Sequence, residues 1–199
     1  ATSQVLETST GYLETLKAIE PYWIKRNKVA GRSFGLGSML YGIGNTGITN
    51  PSYGILSLNE KGKVVLFTGA CEIGQGSDTV LVQILCEALG IDDRDVDLVR
   101  ADTDQTKDAG STSASRQTYI SGRAVYNAAI TMRRFLEDEG FYKNRDMKGI
   151  VDRYKDRGYP IFEGYFDPPT APLDPETSKG APYATYGYAT HMTEVEVDK

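Results

Sequence analysis

Apolar residues recur at helical spacing in three stretches of the chain, and each stretch predicts an amphipathic helix. The first helix is predicted from Thr8 to Tyr22, with Ser9 or Thr10 as N-cap and an end near Pro21. The second follows Gly76 and closes with Gly90 as C-cap. The third runs from about residue 117 to 139, and its small residues, such as Ala124 and Ala128, would allow close packing.

Short apolar runs at residues 52–58, 63–68 and 96–101 predict strands, and Gly62 supplies the positive φ that the turn between the first two needs. Residues 30–50 are rich in glycine, which is typical of strands that bend or pass close to another group. At the end of the chain Thr193, Val195 and Val197 alternate with acidic residues, which predicts a half-buried strand. Because no closing element follows this strand, we expect the native polypeptide or a companion chain to continue.

Strands and helices mix without regular alternation, so the predicted fold class is α+β, with mixed β-sheets and packed helices. We divide the chain into three segments. Residues 1–30 hold the first helix and a basic link from Lys25 to Lys28, and residues 31–140 form a core with the two loops described below. Residues 141–199 form a second segment, with a weakly amphipathic stretch at 143–157, a Pro-rich surface loop at 167–182 and the terminal strand.

Composition narrows the possible partners. The 199 residues are 40% hydrophobic and 25% charged, enough to bury a core without disulfides or a structural metal. The net charge is −5 and the basic residues are scattered, which argues against nucleic acid. No apolar run reaches the length of a membrane span and no secretion signal is evident, so we expect a cytoplasmic protein without a membrane partner. Cys71 and Cys86 lie outside any zinc-like or iron–sulfur spacing.

A formal GxGxxG pattern is present at Gly42, Gly44 and Gly47. A dinucleotide-binding fingerprint must open a helix whose N-terminus faces the pyrophosphate. Here Asn50-Pro51 and another strand follow instead. The pattern therefore predicts no dinucleotide site.

A second glycine pattern, GACEIGQGSDT, covers residues 69–79 and lacks the GK[ST] ending of a P-loop. Gly74 and Gly76 flank Gln75 at a strand-to-helix junction, so the backbone can approach a bulky ligand while one amide projects into the site. Free N–H groups at the start of the helix suit an anion. The alternative is a plain turn capped by Ser77 or Asp78.

The third pattern is a polar stretch from residue 101 to 122, in which hydroxyls precede Arg116 and the start of a helix. The hydroxyl residues are Ser111, Thr112, Ser113 and Ser115. Together with backbone N–H groups and one guanidinium, they can bind phosphate. The alternative is a solvated loop with Ser113 or Ser115 as N-cap. The pattern alone leaves both interpretations open.

Three consecutive segments carry a resemblance to a known family: TGACEIGQGSDTVLVQILCEALGID, DVDLVRADTD and STSASRQTYISGRAVYNAA. They resemble the molybdopterin-binding large subunit of the molybdenum hydroxylases, the xanthine dehydrogenase and aldehyde oxidoreductase family. Order, spacing and residue types agree over residues 57–129, and more loosely from Gly31 and at YGYATHMTEVEVD. The resemblance is specific because two unrelated motifs match in register around an intervening helix and strand.

The resemblance implies that the chain contacts the molybdenum cofactor, molybdopterin with or without an attached nucleotide. Gln75 resembles the glutamine that hydrogen-bonds the apical oxygen of molybdenum or the adjacent dithiolene, and Gly74 and Gly76 resemble the glycines that admit the pterin. Ala114 and Ser115 match positions beside the metal and pterin. The positions implied to extend that wall and hold the phosphate are Ser113, Arg116 and Gln117. Dithiolene sulfurs hold the molybdenum in this family, so no protein metal ligand is expected.

The implied function is an oxidoreductase that hydroxylates a purine-like N-heterocycle or an aldehyde, with water as the oxygen source. Iron–sulfur clusters and FAD are implied on partner domains or subunits. The family's catalytic glutamate lies in a GxGE segment that this chain lacks, so the chain itself is expected to hold no catalytic residue and to be inactive alone. Glu72 is interpreted as structural, and His191 is not expected to be a catalyst. The alternatives are a non-catalytic pterin-binding module and a phosphate-binding or nucleotide-binding protein.

Overall fold

The computed structural model describes residues 2–8, 10–26 and 30–198 of the chain. The helices are α1 (Tyr12–Lys25), α2 (Ser77–Leu89), α3 (Gly122–Asp138), α4 (Phe141–Asn144) and α5 (Met147–Tyr154). The strands are β1 (Arg32–Gly42), β2 (Ser52–Leu58), β3 (Val64–Thr68), β4 (Val96–Arg100), β5 (Phe162–Phe166) and β6 (Tyr186–Glu196). They form two sheets, which confirms the predicted α+β class with mixed sheets and packed helices.

The chain divides into two compact units, a central unit of Thr49–Pro169 and an end unit of Ala1–Ile48 with Thr170–Lys199. The three segments divided at residues 30 and 140 stay a prediction, and periodicity could not show that the two chain ends belong to one unit. None of the helices among the described residues combines the length and the apolarity that crossing a bilayer requires.

The central unit contains a four-stranded sheet in the order β4-β3-β2-β5. β2 runs antiparallel to β3 and β5, whereas β3 and β4 are parallel. The predicted turn joins β2 to β3, and Gly62 has a φ of 77° there. A parallel pair cannot be closed by a tight turn, and α2 provides the crossover from β3 to β4. Gly90 closes α2 in the left-handed region, as predicted.

Helices α2 and α3 cover one face of this sheet and form the core with it. The fully buried side chains include Leu56, Leu66, Leu81, Leu85, Met132 and Leu136. Helix α3 lies unusually close to the sheet at Gly164, where a built Cβ would be 2.0 Å from the Ala124 carbonyl oxygen. The predicted close packing through small residues of α3 is therefore confirmed. The buried hydrophobic side chains of the described residues, prolines aside, all lie between Leu56 and Phe162.

A five-residue π-helical turn, Gln117–Ser121, precedes α3. The Gly122 N–H donates to the Gln117 carbonyl, five residues back. The third predicted helix is therefore present, but it starts with a wider turn than the 3.6-residue period indicates. Such turns occur often at functional sites.

The end unit is built on a ribbon in which β1 and β6 pair antiparallel, from Arg32↔Glu196 to Gly42↔Tyr186. The terminal strand is confirmed, and its partner is a strand from the beginning of the chain. Its predicted half-burial is wrong, because Val195 is 48% exposed. Helix α1 packs on the ribbon through a 2.8 Å hydrogen bond between the Thr15 and Thr190 hydroxyls.

Helix α1 differs from its predicted bounds. It begins at Tyr12 with Gly11 as N-cap, so Thr10 does not cap it, and it continues through Pro21 to Lys25. Proline removes one N–H donor, but its fixed φ is compatible with a helix, and the exposed surface of α1 lets water satisfy the freed carbonyl. The candidate cap Ser9 and the end of the basic link at Lys28 lie outside the described residues.

The remaining segments agree in part with the sequence. Gly42 ends β1 and no helix opens at the GxGxxG pattern, which confirms that it is not a dinucleotide fingerprint. The Pro-rich loop is exposed and contains one isolated bridge, Ala171↔Ala181. β5 was missed, because an edge strand of five residues interrupted by a glycine gives a weak pattern.

Candidate functional site

Both candidate loops leave the sheet at the same edge. β3 and β4 are parallel and in register at Thr68↔Arg100, where both strands end. The glycine loop, defined as residues 69–76, follows β3, and the serine loop, defined as residues 101–116, follows β4. The carboxyl ends of adjacent parallel strands are where α/β sheets place their ligands. The topology therefore brings the two sequence motifs together.

A shared hydrogen-bond acceptor joins the two loops. The Thr112 hydroxyl donates to the Cys71 carbonyl oxygen at 2.8 Å, and the Gln75 amide nitrogen donates to the same oxygen at 3.0 Å. The loops also touch at Gly69, where a built Cβ would lie 2.3 Å from the Lys107 carbonyl oxygen. Only glycine permits this approach. The Gln75 amide and the serine loop thus belong to one site.

The Gln75 side chain is exposed but folded over its own loop. Its amide oxygen accepts from the Ile73 N–H at 2.6 Å, and its amide nitrogen also donates to the Ser77 hydroxyl at 2.9 Å. The prediction that this amide projects freely into a site is therefore wrong for the conformation described. The amide lies at the surface, so a ligand could replace these contacts.

The Glu72 carboxylate occupies the start of α2. It accepts from the N–H groups of Gly74 at 2.7 Å, Gly76 at 2.9 Å and Asp78 at 3.1 Å. These bonds, chiefly those from Gly76 and Asp78, lower the pKa of Glu72 to about 2. The prediction that free N–H groups here bind an anionic ligand is thus wrong, because the chain supplies its own anion. The structural interpretation of Glu72 is confirmed.

We expect the glycine loop to loosen in acid through Glu72. Its pKa is lowered in the fold, from 4.5 to about 2, so the carboxylate stabilises the loop above pH 4.5 and this effect is lost as the pH falls towards 2. Hydrogen-exchange protection of the Gly74, Gly76 and Asp78 amides should therefore fall across this window. Glu72→Gln should have low protection at every pH. Equal, pH-independent protection in both proteins would contradict this role.

The serine loop has an unusual backbone. Ala114 and Ser115 are consecutive residues at positive φ, 48° and 56°, a region that non-glycine side chains rarely adopt. Such conformations cost on the order of 1–3 kcal/mol each and persist only where the surroundings enforce them. Ser113 and Ser115 are exposed, and Ala114 is half-buried. The exposed side of these three residues is the part of the serine loop that a ligand can reach.

Arg116 ties the serine loop to the interior of the central unit. It is only 1% exposed, and its guanidinium donates to the carbonyl oxygens of Pro51 at 2.8 Å, Asn50 at 3.1 Å and Ser111 at 3.1 Å, and to that of Ala109. Burial lowers the pKa of Arg116 from its ordinary value, but an arginine remains charged in proteins. The expectation that this guanidinium holds a ligand phosphate is corrected, because it faces backbone carbonyls.

Gln117 also faces the interior, at 5% exposed. Its amide nitrogen donates to the Thr112 hydroxyl at 2.9 Å, and its amide oxygen accepts from the Ser121 hydroxyl. Both ends of the amide are therefore used within the protein, which corrects the expectation of direct ligand contact. Thr112 and the Cys71 carbonyl were missed as organising groups, since a main-chain acceptor leaves no signal in a sequence.

A family model described as "Molybdopterin cofactor-binding domain" matches residues 6–199. The chain belongs to the molybdopterin cofactor-binding domain family. This agrees with the family resemblance that the sequence segments carry.

Individual relatives of this molybdopterin-binding chain are much longer than it is. Xanthine dehydrogenase/oxidase of Gallus gallus is 27% identical over 96% of this chain, which spans 14% of that protein. Aldehyde oxidase 4 of Rattus norvegicus is 32% identical over 69% of this chain and 10% of its own length. The aldehyde oxidoreductase of Desulfovibrio desulfuricans matches with a TM-score of 0.77 and 27% identity, over 98% of this chain and 22% of that one.

The described residues fit a molybdopterin at the two loops. A Cβ built on Gly74 or Gly76 would meet no atom within 4 Å, so the backbone there is open to a bulky ring system. Gln75, Ser113 and Ser115 are exposed, and Thr112 joins the two loops at the Cys71 carbonyl. No three His, Cys, Asp or Glu side chains among residues 2–8, 10–26 and 30–198 are grouped to hold a metal ion.

Proposed function

We propose that the glycine and serine loops form part of the cofactor pocket of a molybdenum hydroxylase that oxidises an N-heterocycle or an aldehyde with oxygen from water. The observation that carries this proposal is the Cys71 carbonyl, which the Gln75 amide and the Thr112 hydroxyl share. When bound, the cofactor supplies the redox-active metal. The names of the relatives, a xanthine dehydrogenase and an aldehyde oxidase, support the two substrate classes.

The chain's own residues would bind and orient the cofactor. Gly74 and Gly76 would admit the pterin against bare backbone, and Gln75 would donate its amide N–H to an oxygen or sulfur of the cofactor. To do so, the Gln75 amide nitrogen would give up its hydrogen bonds to the Cys71 carbonyl and the Ser77 hydroxyl and bond to the cofactor. Ala114 and Ser115 would form the opposite wall of the pocket, with Ser113 beside them. The buried residues Arg116 and Gln117 would support this wall from the interior.

Catalysis would depend on polypeptide beyond this stretch. We propose that the remaining part of the large subunit brings the catalytic glutamate, and that iron–sulfur and FAD-binding domains or subunits carry the electrons. The cytoplasm is the compartment we propose for the assembly, in keeping with the free cysteines Cys71 and Cys86. The short share of each relative that this chain spans supports a multi-part enzyme.

A phosphate-binding or nucleotide-binding protein is less well supported. Such a site needs free N–H groups at a helix start or an exposed guanidinium. Glu72 takes the N–H groups at the start of α2, and Arg116 is buried against carbonyls. The hydroxyls alone are a weak phosphate site.

Replacing Gln75 with alanine in the full-length protein tests the proposal. We expect molybdenum content to fall about tenfold, a typical loss when an outer-sphere partner of a metal centre is removed. The measurement is molybdenum per protein by mass spectrometry. Gln83→Ala is the matched control, since Gln83 is exposed on α2 and away from both loops, and it should keep its molybdenum. A wild-type protein that is metal-free and fully active would overturn the proposal.

A further inference from the structure

A chain of hydrogen bonds runs from the core to the glycine loop. It begins between the buried hydroxyls of Ser52 and Ser121, which are 2.8 Å apart, and passes through the Gln117 amide to the Thr112 hydroxyl. It ends on the Cys71 carbonyl, the oxygen that also receives the Gln75 amide N–H. The path connects the interior of the sheet–helix core to a surface loop that we propose to bind the cofactor.

The bonds in this chain have a fixed direction because each hydroxyl carries one hydrogen. The Thr112 hydrogen is donated to the Cys71 carbonyl, so the Thr112 oxygen can only accept from its other neighbour. That neighbour, the Gln117 amide nitrogen, is a donor at 2.9 Å. The Ser121 hydrogen is donated to the Gln117 amide oxygen, which leaves Ser52 to donate to Ser121.

Position 117 thus requires a side chain that donates towards Thr112 and accepts from Ser121. A primary amide does both. The π-helical turn places Gln117 and Ser121 together on the buried side, where Gln117 is 5% and Ser121 0% exposed. A buried polar group left without a partner is costly, so the direction of the bonds is strongly enforced.

We propose that Gln117 is a positioning residue for the cofactor site. By donating to Thr112 it directs the threonine hydroxyl onto the Cys71 carbonyl, and it thereby fixes the glycine loop in the shape from which Gln75 meets the cofactor. The inference rests on the proposed function. It assigns Gln117 no contact with the cofactor.

The variant Gln117→Glu separates this role from general packing. A protonated carboxyl has one donor and one acceptor, as the amide has, and can preserve the chain of bonds. An ionised carboxylate only accepts, so Thr112 turns to donate to it and the Cys71 carbonyl loses the bond from Thr112. Burial raises the pKa of a carboxyl at this position. The charged groups around this part of the chain include Arg116, directed at carbonyls, and the carboxylates of Asp108 and Asp167, which interact with Arg116. Glu72 is the charged group of the glycine loop.

The experiment measures molybdenum retained by the full-length protein after dialysis at about pH 5.5 and about pH 8.5, on either side of the range in which a buried carboxyl titrates. Gln117→Glu should keep its molybdenum at the lower pH and lose about tenfold at the higher. Wild type and the matched exposed variant Gln83→Glu should show no such difference. A merely structural role predicts equal loss at both pH values, which would overturn the inference.

If Gln117→Glu does not fold, a second pair of variants, at Thr112, tests the positioning role of Gln117. Thr112→Ser keeps the hydroxyl and should retain molybdenum, whereas Thr112→Val should lose about tenfold at both pH values. Retention by Thr112→Val equal to that of wild type would overturn the positioning role. Absence of molybdenum from wild type would instead reject the proposed function, so the two failures are distinguishable.

Discussion

Replacing Arg116 with methionine is expected to destabilise the central unit by on the order of 3 kcal/mol, the typical cost when a buried donor is removed and its acceptors are left unpaired. Methionine approximates the length of the side chain but donates no hydrogen bond. The carbonyls of Asn50, Pro51, Ala109 and Ser111 would all lose their partner. The serine loop would then no longer be tied to the segment that leads into β2.

Hydrogen exchange followed by mass spectrometry is the appropriate measurement, because it reports the stability of one region within a large protein. Peptides from β2 and from the serine loop should exchange faster in Arg116→Met. Arg94→Met is the matched control, since the Arg94 side chain is 80% exposed and bonds only to its neighbour Asp92, so no measurable change is expected. Unchanged exchange in Arg116→Met would show that the four carbonyls find other donors.

Gly164→Ala is expected to destabilise the contact between β5 and α3 by about 3 kcal/mol, at the upper end for overpacking of a dense core. A methyl group at this position would lie 2.0 Å from the Ala124 carbonyl oxygen and 2.4 Å from the Ala128 nitrogen. Both atoms belong to the helix backbone, so neither can move away as a flexible side chain would. Helix and strand must separate to admit the methyl group.

Faster exchange of α3 and β5 peptides, together with a lower thermal unfolding temperature, would confirm this expectation. Gly35→Ala serves as the control, because a Cβ at Gly35 would meet nothing within 4 Å. That substitution should leave exchange unchanged or slow it slightly, since alanine restricts the unfolded chain. Equal behaviour of the two variants would refute the close approach at Gly164.

The sequence predicted helices α2 and α3 and strands β2 to β4 of the central unit but missed β5. In α2 and α3 the apolar residues repeat at helical spacing because one face of each helix packs on the sheet. The turn at Gly62 and the C-cap at Gly90 were predicted because positive φ favours glycine. The end unit was predicted less well. Its strands are exposed and pair across most of the chain, and local periodicity carries no information on such pairing.

The candidate site shows a similar contrast. The family resemblance placed it at two motifs, and the structure joins these motifs at the Cys71 carbonyl. The roles of the individual residues in the site could not be predicted from the sequence. The roles depend on hydrogen bonds to the main chain or to other side chains, as for Glu72, Arg116 and Gln117. Residue type alone does not tell whether a polar side chain faces inward or outward. Side-chain direction at a loop depends on backbone angles that the sequence pattern does not fix.

The pairing of β1 with β6 also imposes an order on biosynthesis. Arg32 bonds to Glu194, 162 positions later, and the whole of the central unit is translated between them. β1 therefore leaves the ribosome long before its partner exists, and its backbone N–H and C=O groups are unpaired until then. At a synthesis rate of about 5–20 residues per second this interval lasts on the order of ten seconds, during which β1 is an unpaired strand edge.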